Sequence, residues 1–371
     1  MRTQRLPHVV VIGGFLGAGK TTAIQRFARH LTDQGIRVAL ITNDQGHHLV
    51  DTALLSSCGY DTREVVGGCF CCRFDALLDA ASYLTSDVGP EVLVAEAVGS
   101  CTDLAATVTY PLQRLFGDRY TVAPLSVLVD PVRARRTFGL EDGDRFSPDV
   151  EYIYMKQLEE ADRIVMTKCD LLSDDAINEL GHTLASRYPQ AQVMAVSSRD
   201  GLHMDEWFHD LLFGTQQARG TMEVDYERYA SGEAELGWLN ATLRATATQL
   251  FDGNAVLYEL TEAVHRGLRE SGLAVGHLKA SLQALDGSEG GVASINSVRS
   301  DAPPELGLRL ERGVQDARIL VNVRAQGSPE QLKLLLEQAV ATGIDRDVHW
   351  TMEEVEAFRP AAPRPTHRVP G

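Results

Sequence analysis

The chain has 371 residues, 44% hydrophobic and 23% charged, a composition that excludes collagen-like, disordered and disulfide-scaffold classes. At roughly 150 residues per domain, that length predicts two domains or slightly more. Its 35 basic against 51 acidic residues give a formal net charge of −16, which argues against a nucleic-acid footprint or a polybasic membrane surface.

No run approaches the roughly 18 unbroken apolar residues of a membrane span. Residues 1–5 open like a secretory leader, but the apolar run at 9–12 is too short and ends in a glycine-rich turn, so a cytoplasmic location is expected. Residues 1 to about 215 alternate short apolar runs with helical stretches. Strands are expected at 8–12, 37–42, 91–95, 125–129, 163–167 and 192–196, and helices at 21–34, 74–84 and 150–160. Such continuous apolar runs are typical of parallel strands buried on both faces, which predicts a doubly wound α/β domain with a mostly parallel sheet.

From 216 to 237 the sequence turns polar and reads as a linker. A smaller α+β domain is expected over 238–358, with strands at 239–246, 275–285, 292–298 and 317–325 and helices at 254–270 and from Pro329 to about 341. The turn at 286–291 separates the middle pair. The order β-α-β-β-β-α is related to the ferredoxin-like arrangement. The proline-rich segment 359–371 is expected to be an extended, mobile tail.

Gly14-Phe15-Leu16-Gly17-Ala18-Gly19-Lys20-Thr21 meets every fixed position of G-x-x-x-x-G-K-[ST], after a strand and before a helix. Its glycines let successive N–H groups face phosphate oxygens, and the following helix adds its positive end. Lys20 can reach the β- and γ-phosphates and the Thr21 hydroxyl can ligate Mg²⁺. Thr167-Lys168-Cys169-Asp170 closes the fifth strand as a variant of N-K-x-D. An aspartate there accepts two hydrogen bonds from guanine that adenine cannot supply, while the Lys168 stem packs on the ring. Ser197 follows the next strand. Glu96 ends a strand where a carboxylate can hold Mg²⁺ through water, and Gly99 can bring an N–H near the γ-phosphate. Asp44 follows the second strand, as the expected second carboxylate near Mg²⁺.

All six cysteines, Cys58, Cys69, Cys71, Cys72, Cys101 and Cys169, lie in the first 170 residues. In a long cytosolic chain they read as thiols or metal ligands rather than a disulfide framework. Cys69, Cys71 and Cys72, following Gly67-Gly68, can converge on one soft cation, for which Zn²⁺ is the default. Cys58, His47, His48, water or a partner's side chain are the options for a fourth ligand. Cys101 and Cys169 read as structural, and His265 and His277 as satisfied histidines.

Taken together, these residues resemble the CobW-type P-loop GTPases over about 9–198. Gly14 to Thr22, Asn43-Asp44, the Gly67 to Cys72 segment, Glu96 to Gly99 and Thr167 to Asp170 recur in order. The resemblance implies GTP and Mg²⁺ as cofactors, with nucleotide contacts from Gly14, Gly17, Ala18, Gly19, Lys20, Thr21, Thr22, Gly99, Lys168, Asp170 and Ser197. It implies catalytic roles for Lys20, Asp44 and Glu96, and slow GTP hydrolysis coupled to delivery of a transition metal. The expected partner is a client metalloprotein or cofactor-pathway protein, with a homodimer as an allowed assembly. The chain departs from the family pattern at Asp44-Gln45, where Glu and Phe are common, at Thr167, and in lacking a histidine-rich C-terminal stretch. A metal-responsive regulatory module and an ATP-dependent kinase or transferase are the alternatives.

Overall fold

The computed structural model describes residues 6–44, 46, 50–214, 216, 220–285, 291–342 and 347–369. The chain divides into two compact units, one of residues up to 45, 59–232 and 362–371, the other of 46–58 and 233–361. In chain order the elements are β1 His8–Gly14, α1 Lys20–Asp33, β2 Val38–Asn43, α2 Val50–Ser57, β3 Asp61–Val65, α3 Phe74–Asp87 and β4 Val92–Glu96. A π-helical turn, Ala105–Thr109, runs into α4 Tyr110–Phe116. Next come β5 Thr121–Val122, β6 Ser126–Val129, α5 Pro131–Thr137, α6 Pro148–Glu160, β7 Arg163–Met166, α7 Asp174–Arg187, β8 Gln192–Ala195, α8 Met204–Phe213 and α9 Tyr226–Glu235. The chain continues through β9 Leu236–Phe251, α10 Gly253–Glu270, β10 Val275–Ala284, β11 Val292–Ser297, β12 Glu305–Leu308, β13 Val314–Gln326, α11 Pro329–Thr342 and β14 His349–Phe358.

In the first unit the strands pair in parallel in the order β3-β2-β4-β1-β6-β7-β8, with β5 beside β1. The loops after β1, β2, β4, β6, β7 and β8 therefore leave from one edge, where open α/β sheets bind ligands. Val9, Val10, Val11 and Ile12 of β1 are buried, and α1 buries Ala23, Ile24, Phe27, Ala28 and Leu31 along one stripe. Each such valine, leucine, isoleucine or phenylalanine adds about 1.5–3 kcal/mol over its exposed state, which anchors the phosphate loop between two rigid elements.

The second unit is a six-stranded antiparallel sheet in the order β12-β11-β10-β13-β9-β14. Helices α10 and α11 cover the face that carries Leu239, Leu243, Leu278, Leu282, Ile319 and Val321. Asp252 caps α10 by accepting the N–H groups of Asn254 and Ala255, and Ser328 and Gln331 exchange side-chain and backbone bonds at the start of α11. The strand alternation turns Lys279 and Asn322 to the opposite face. There α2 docks, with Asp51 2.6 Å from Lys279 and the Val50 N–H 2.9 Å from Asn322 Oδ1.

The structure differs from the sequence expectations in four places. Strand β3, Asp-Thr-Arg-Glu-Val, lies at a sheet edge and alternates exposed with half-buried residues, so it has no apolar run. Strands β12 and β14 are likewise edge strands with mostly exposed side chains, and they extend the anticipated β-α-β-β-β-α order to eight elements. The stretch 216–237 contains α9, whose Tyr229 is fully buried. The segment 362–369, expected to be mobile, is packed into the first unit: the Val369 N–H donates to Ala106 O and the Arg368 guanidinium pairs with Asp103. The 286–290 turn lies outside the described residues.

Candidate nucleotide and metal site

The phosphate loop is shaped by backbone conformations that only glycine adopts easily. Gly14, Gly17 and Gly19 have φ of 127°, 77° and 86°. At Gly14 a Cβ would run into the Leu128 carbonyl oxygen, so any side chain there would separate β1 from β6. Lys20, 8% exposed, donates from Nζ to Gly14 O at 2.8 Å and Phe15 O at 3.2 Å. The Thr21 hydroxyl donates to Glu96 Oε1 at 2.9 Å, which sets an oxygen pair suited to a hard cation at the join of β4 and α1. Thr22 is exposed on the first turn of α1. Gly99 presses its backbone on the loop: a Cβ there would meet the Leu16 nitrogen at 3.0 Å.

Two of the residues of the base-reading segment, Thr167 and Lys168, touch the same loop. Lys168, at φ 51°, donates from Nζ to Gly17 O and to Asp130 Oδ2, both at 2.7 Å. Burial alone would raise the Asp130 pKa, but the Lys168 and Arg133 charges outweigh it and hold this carboxyl at about 2. Asp130 is a site residue that the sequence did not flag. It is the cap of α5, accepting the Arg133 N–H, and its pairing with a lysine 38 residues away has no local signature. The Thr167 hydroxyl donates to Ala18 O at 2.8 Å, so the threonine itself braces the loop. The Asp170 carboxylate accepts from the Ser197 hydroxyl at 2.7 Å and faces Arg199 at 3.4 Å.

Asp44, half-buried, follows β2, its N–H donating to Val65 O. The neighbouring Asn43 does more than was read from the sequence. Its amide donates to Val65 O and Gly68 O and its Oδ1 accepts the Phe70 N–H, at 2.8 to 2.9 Å. The end of β2 is thereby pinned to the cysteine segment. Gly68, at φ 150°, opens the turn in which the Cys72 and Arg73 N–H groups both donate to Cys69 O.

That turn brings three thiols together. Cys69, Cys71 and Cys72 place their sulfurs within 4.8 Å of one another, a grouping able to hold a metal. The Cys69–Cys71 and Cys71–Cys72 separations are 2.8 and 3.7 Å. Cys101, expected as structural packing, projects its sulfur to 3.5 Å from that of Cys71. It belongs to the loop after β4, and 30 residues separate the two in sequence, so spacing gave no signal for it. Burial and mutual thiol contacts favour the neutral form. Hydrogen bonding with Cys101 is the foremost cause for both Cys69 and Cys71, and Cys72 rises to about 11, chiefly through Cys69. A soft cation would reverse that balance, since thiolates are its natural ligands. Cys58 is exposed and belongs to the second unit, Cys169 is buried against Met166 O, and His47 and His48 lie outside the described residues.

Two further contacts surround the cluster. Gln157 of α6, fully buried, donates from Nε2 to both Gly99 O and Cys101 O, at 2.9 and 2.8 Å. The segment 362–369 crosses the cysteine turn: the Arg364 N–H donates to Cys72 Sγ at 3.0 Å and the Thr366 N–H to Cys71 O at 3.1 Å.

A parallel doubly wound sheet with a Gly-rich loop, a lysine and a threonine at the start of α1, and a carboxylate at the end of β4 defines a P-loop nucleoside triphosphatase fold. Residues 8–195 match the family model described as the CobW/HypB/UreG nucleotide-binding domain, and the chain belongs to that family. It is 30% identical over 200 residues to a zinc chaperone, YjiA, of Escherichia coli, covering 52% of this chain and 58% of that one. It is 28% identical over 214 residues to the zinc chaperone CobW of a Sinorhizobium species, with the same coverages. The chain thus matches under three fifths of the length of these curated relatives. The hydrogenase maturation factor HypB of Archaeoglobus fulgidus superposes with a TM-score of 0.38 at 17% identity, over 54% of this chain and 87% of that one. No helix among the described residues is long and apolar enough to cross a membrane.

Proposed function

We propose that the protein is a GTP-hydrolysing metallochaperone that carries zinc, bound by its cysteine cluster, to a client metalloprotein or cofactor-pathway protein in the cytoplasm. GTP is the substrate. The N–H groups of the phosphate loop take the phosphate oxygens, and Lys20 turns from the Gly14 and Phe15 carbonyls to the triphosphate. Thr21 and Glu96 form the oxygen set for Mg²⁺, with Asp44 as the second carboxylate; bound there, the ion neutralises phosphate charge. Asp170 accepts the guanine N–H groups, with Ser197 fixing its orientation and the Lys168 stem lying over the ring.

The observation that carries the reading is the wiring between nucleotide loops and thiols. Asn43, beside Asp44, holds the segment of Cys69 to Cys72, and the loop that carries Glu96 and Gly99 also carries Cys101. A γ-phosphate that repositions either loop changes the sulfur geometry. Linkage then requires that metal affinity differ between nucleotide states, and that metal tighten the favoured nucleotide by the same factor. The test is a zinc titration in the presence of GDP and of a non-hydrolysable GTP analogue. We expect binding about tenfold tighter with the analogue, a coupling of about 1.4 kcal/mol. Equal affinities would refute coupled delivery.

A further inference from the structure

Cys69, Cys71 and Cys72 come from one turn, between Gly68 and α3, and a further sulfur lies beside that of Cys71. That sulfur comes from a different loop. Cys101 is fully buried, and its Sγ lies 3.5 Å from that of Cys71, which in turn lies 3.7 Å from that of Cys72. Four sulfurs placed tetrahedrally at about 2.3 Å from a zinc ion are separated by about 3.8 Å, so Cys71 already stands near that spacing from Cys72 and Cys101, while Cys69, 2.8 Å from Cys71, must draw back.

The backbone around Cys101 is held in place. Its N–H donates to Val98 O, its carbonyl accepts from Gln157, and the next N–H, of Thr102, donates to the Tyr229 hydroxyl. Asp103, two residues on, adopts φ 67°, uncommon for a non-glycine residue, and is held by Tyr226 and Arg368. These contacts aim one side chain at the cysteine turn.

We infer that Cys101 is the fourth protein ligand, completing an all-thiolate site that takes a soft divalent cation such as zinc. The inference rests on the reading that Cys69, Cys71 and Cys72 bind metal. Four thiolates around a divalent cation carry a net charge of −2, which burial tolerates only with N–H donors nearby; the Arg364 N–H at 3.0 Å from Cys72 Sγ is one such donor. The metal is then saturated by four protein ligands, unlike a catalytic zinc, which keeps an open position. Its ligands are also split three to one between loops. Cys101 shares its loop with Gly99, and Gln157 clamps both carbonyls, so displacement of Gly99 by a change in the triphosphate withdraws one thiolate of four.

Zinc-edge X-ray absorption on the zinc-loaded wild-type chain counts the sulfurs directly. We expect four; three sulfurs with one lighter atom would overturn the assignment of Cys101. Cobalt(II) titration gives the second readout on wild type, Cys101→Ala, Cys101→Ser and Cys71→Ser, with circular dichroism of each metal-free variant as the folding control. The sulfur-to-cobalt charge-transfer band should weaken by about a quarter in both Cys101 variants and in Cys71→Ser alike, with affinity down more than about tenfold in each. A wild type that binds neither metal at the cluster would defeat the chaperone reading itself. A wild type that binds, with an unchanged band in Cys101→Ala, would defeat only the fourth ligand.

Discussion

Around the phosphate loop, charged side chains already face partners: Lys20 lies on two loop carbonyls, and Lys168 bridges Gly17 O and the Asp130 carboxylate. At the other end of the same loops, the thiols of Cys69, Cys71 and Cys72 face one another, with pKa values pushed up first by hydrogen bonds among neighbouring thiols, Cys101 included, and then by burial. One region is organised by opposite charges before any ligand arrives. The other is held by protons, which a cation must displace. The first should therefore respond to substitutions and little to neutral pH, the second strongly to pH.

The largest effect expected is that of Lys20→Ala. It removes the ammonium that the loop sequence itself supplies and should weaken GTP more than about a thousandfold, while thermal unfolding changes little, because Lys20 Nζ lies on the Gly14 and Phe15 carbonyls rather than in the apolar core. Fluorescent-nucleotide titration measures the first and calorimetry the second; unchanged GTP affinity would break the comparison at its nucleotide end.

Zinc binding should come next. Each thiol that ionises on binding adds about tenfold of affinity per pH unit, as long as it is protonated in the metal-free protein. With Cys72 at about 11 and Cys69 and Cys71 also raised, affinity should climb steeply across pH 6 to 8. Competition with a chromophoric chelator reads the slope, and a flat profile would mean that the thiols are not the ligands.

Asp130→Asn should have the smallest effect and sharpen the contrast. Its carboxyl is depressed in the folded state, so its contribution is complete above the ordinary carboxylate value near 4 and is lost as pH falls through about 2. At pH 7 the variant should lose about 1–3 kcal/mol of stability and bind GTP more weakly through a displaced Lys168. Denaturant unfolding at pH 7 and pH 2 should show this deficit shrinking in acid; a deficit independent of pH would assign it to the lost cap geometry instead.

The features legible in the sequence are those whose residues are contiguous. The phosphate loop is eight consecutive residues, and the buried strands before Gly14, Asn43, Glu96 and Thr167 are apolar runs. The C-x-C-C segment is equally local. Edge strands β3 and β14 escaped because exposed strands carry no apolar signature. The roles of Asn43, Asp130 and Cys101 escaped because each rests on a partner 22 or more residues away, which no local pattern marks. The segment from 362 was misread because proline suggests solvated chain, whereas its backbone N–H groups are spent on the cysteine turn.

The assignment of residues 46–58 to the second unit has a consequence for how the molecule can be made and cut. The chain leaves the first unit after β2, contributes α2 to the second sheet through Asp51 and Val50, and returns to form β3. Neither unit is therefore a contiguous stretch of polypeptide. A fragment of 233–361 would leave Lys279 and Asn322 without these partners, and one of 59–232 would lack β1, β2 and the phosphate loop. During synthesis the second sheet must recruit a helix made almost two hundred residues earlier, a long-range closure that slows its completion. Dividing this protein into separately folding pieces would require rejoining the chain, not simply truncating it.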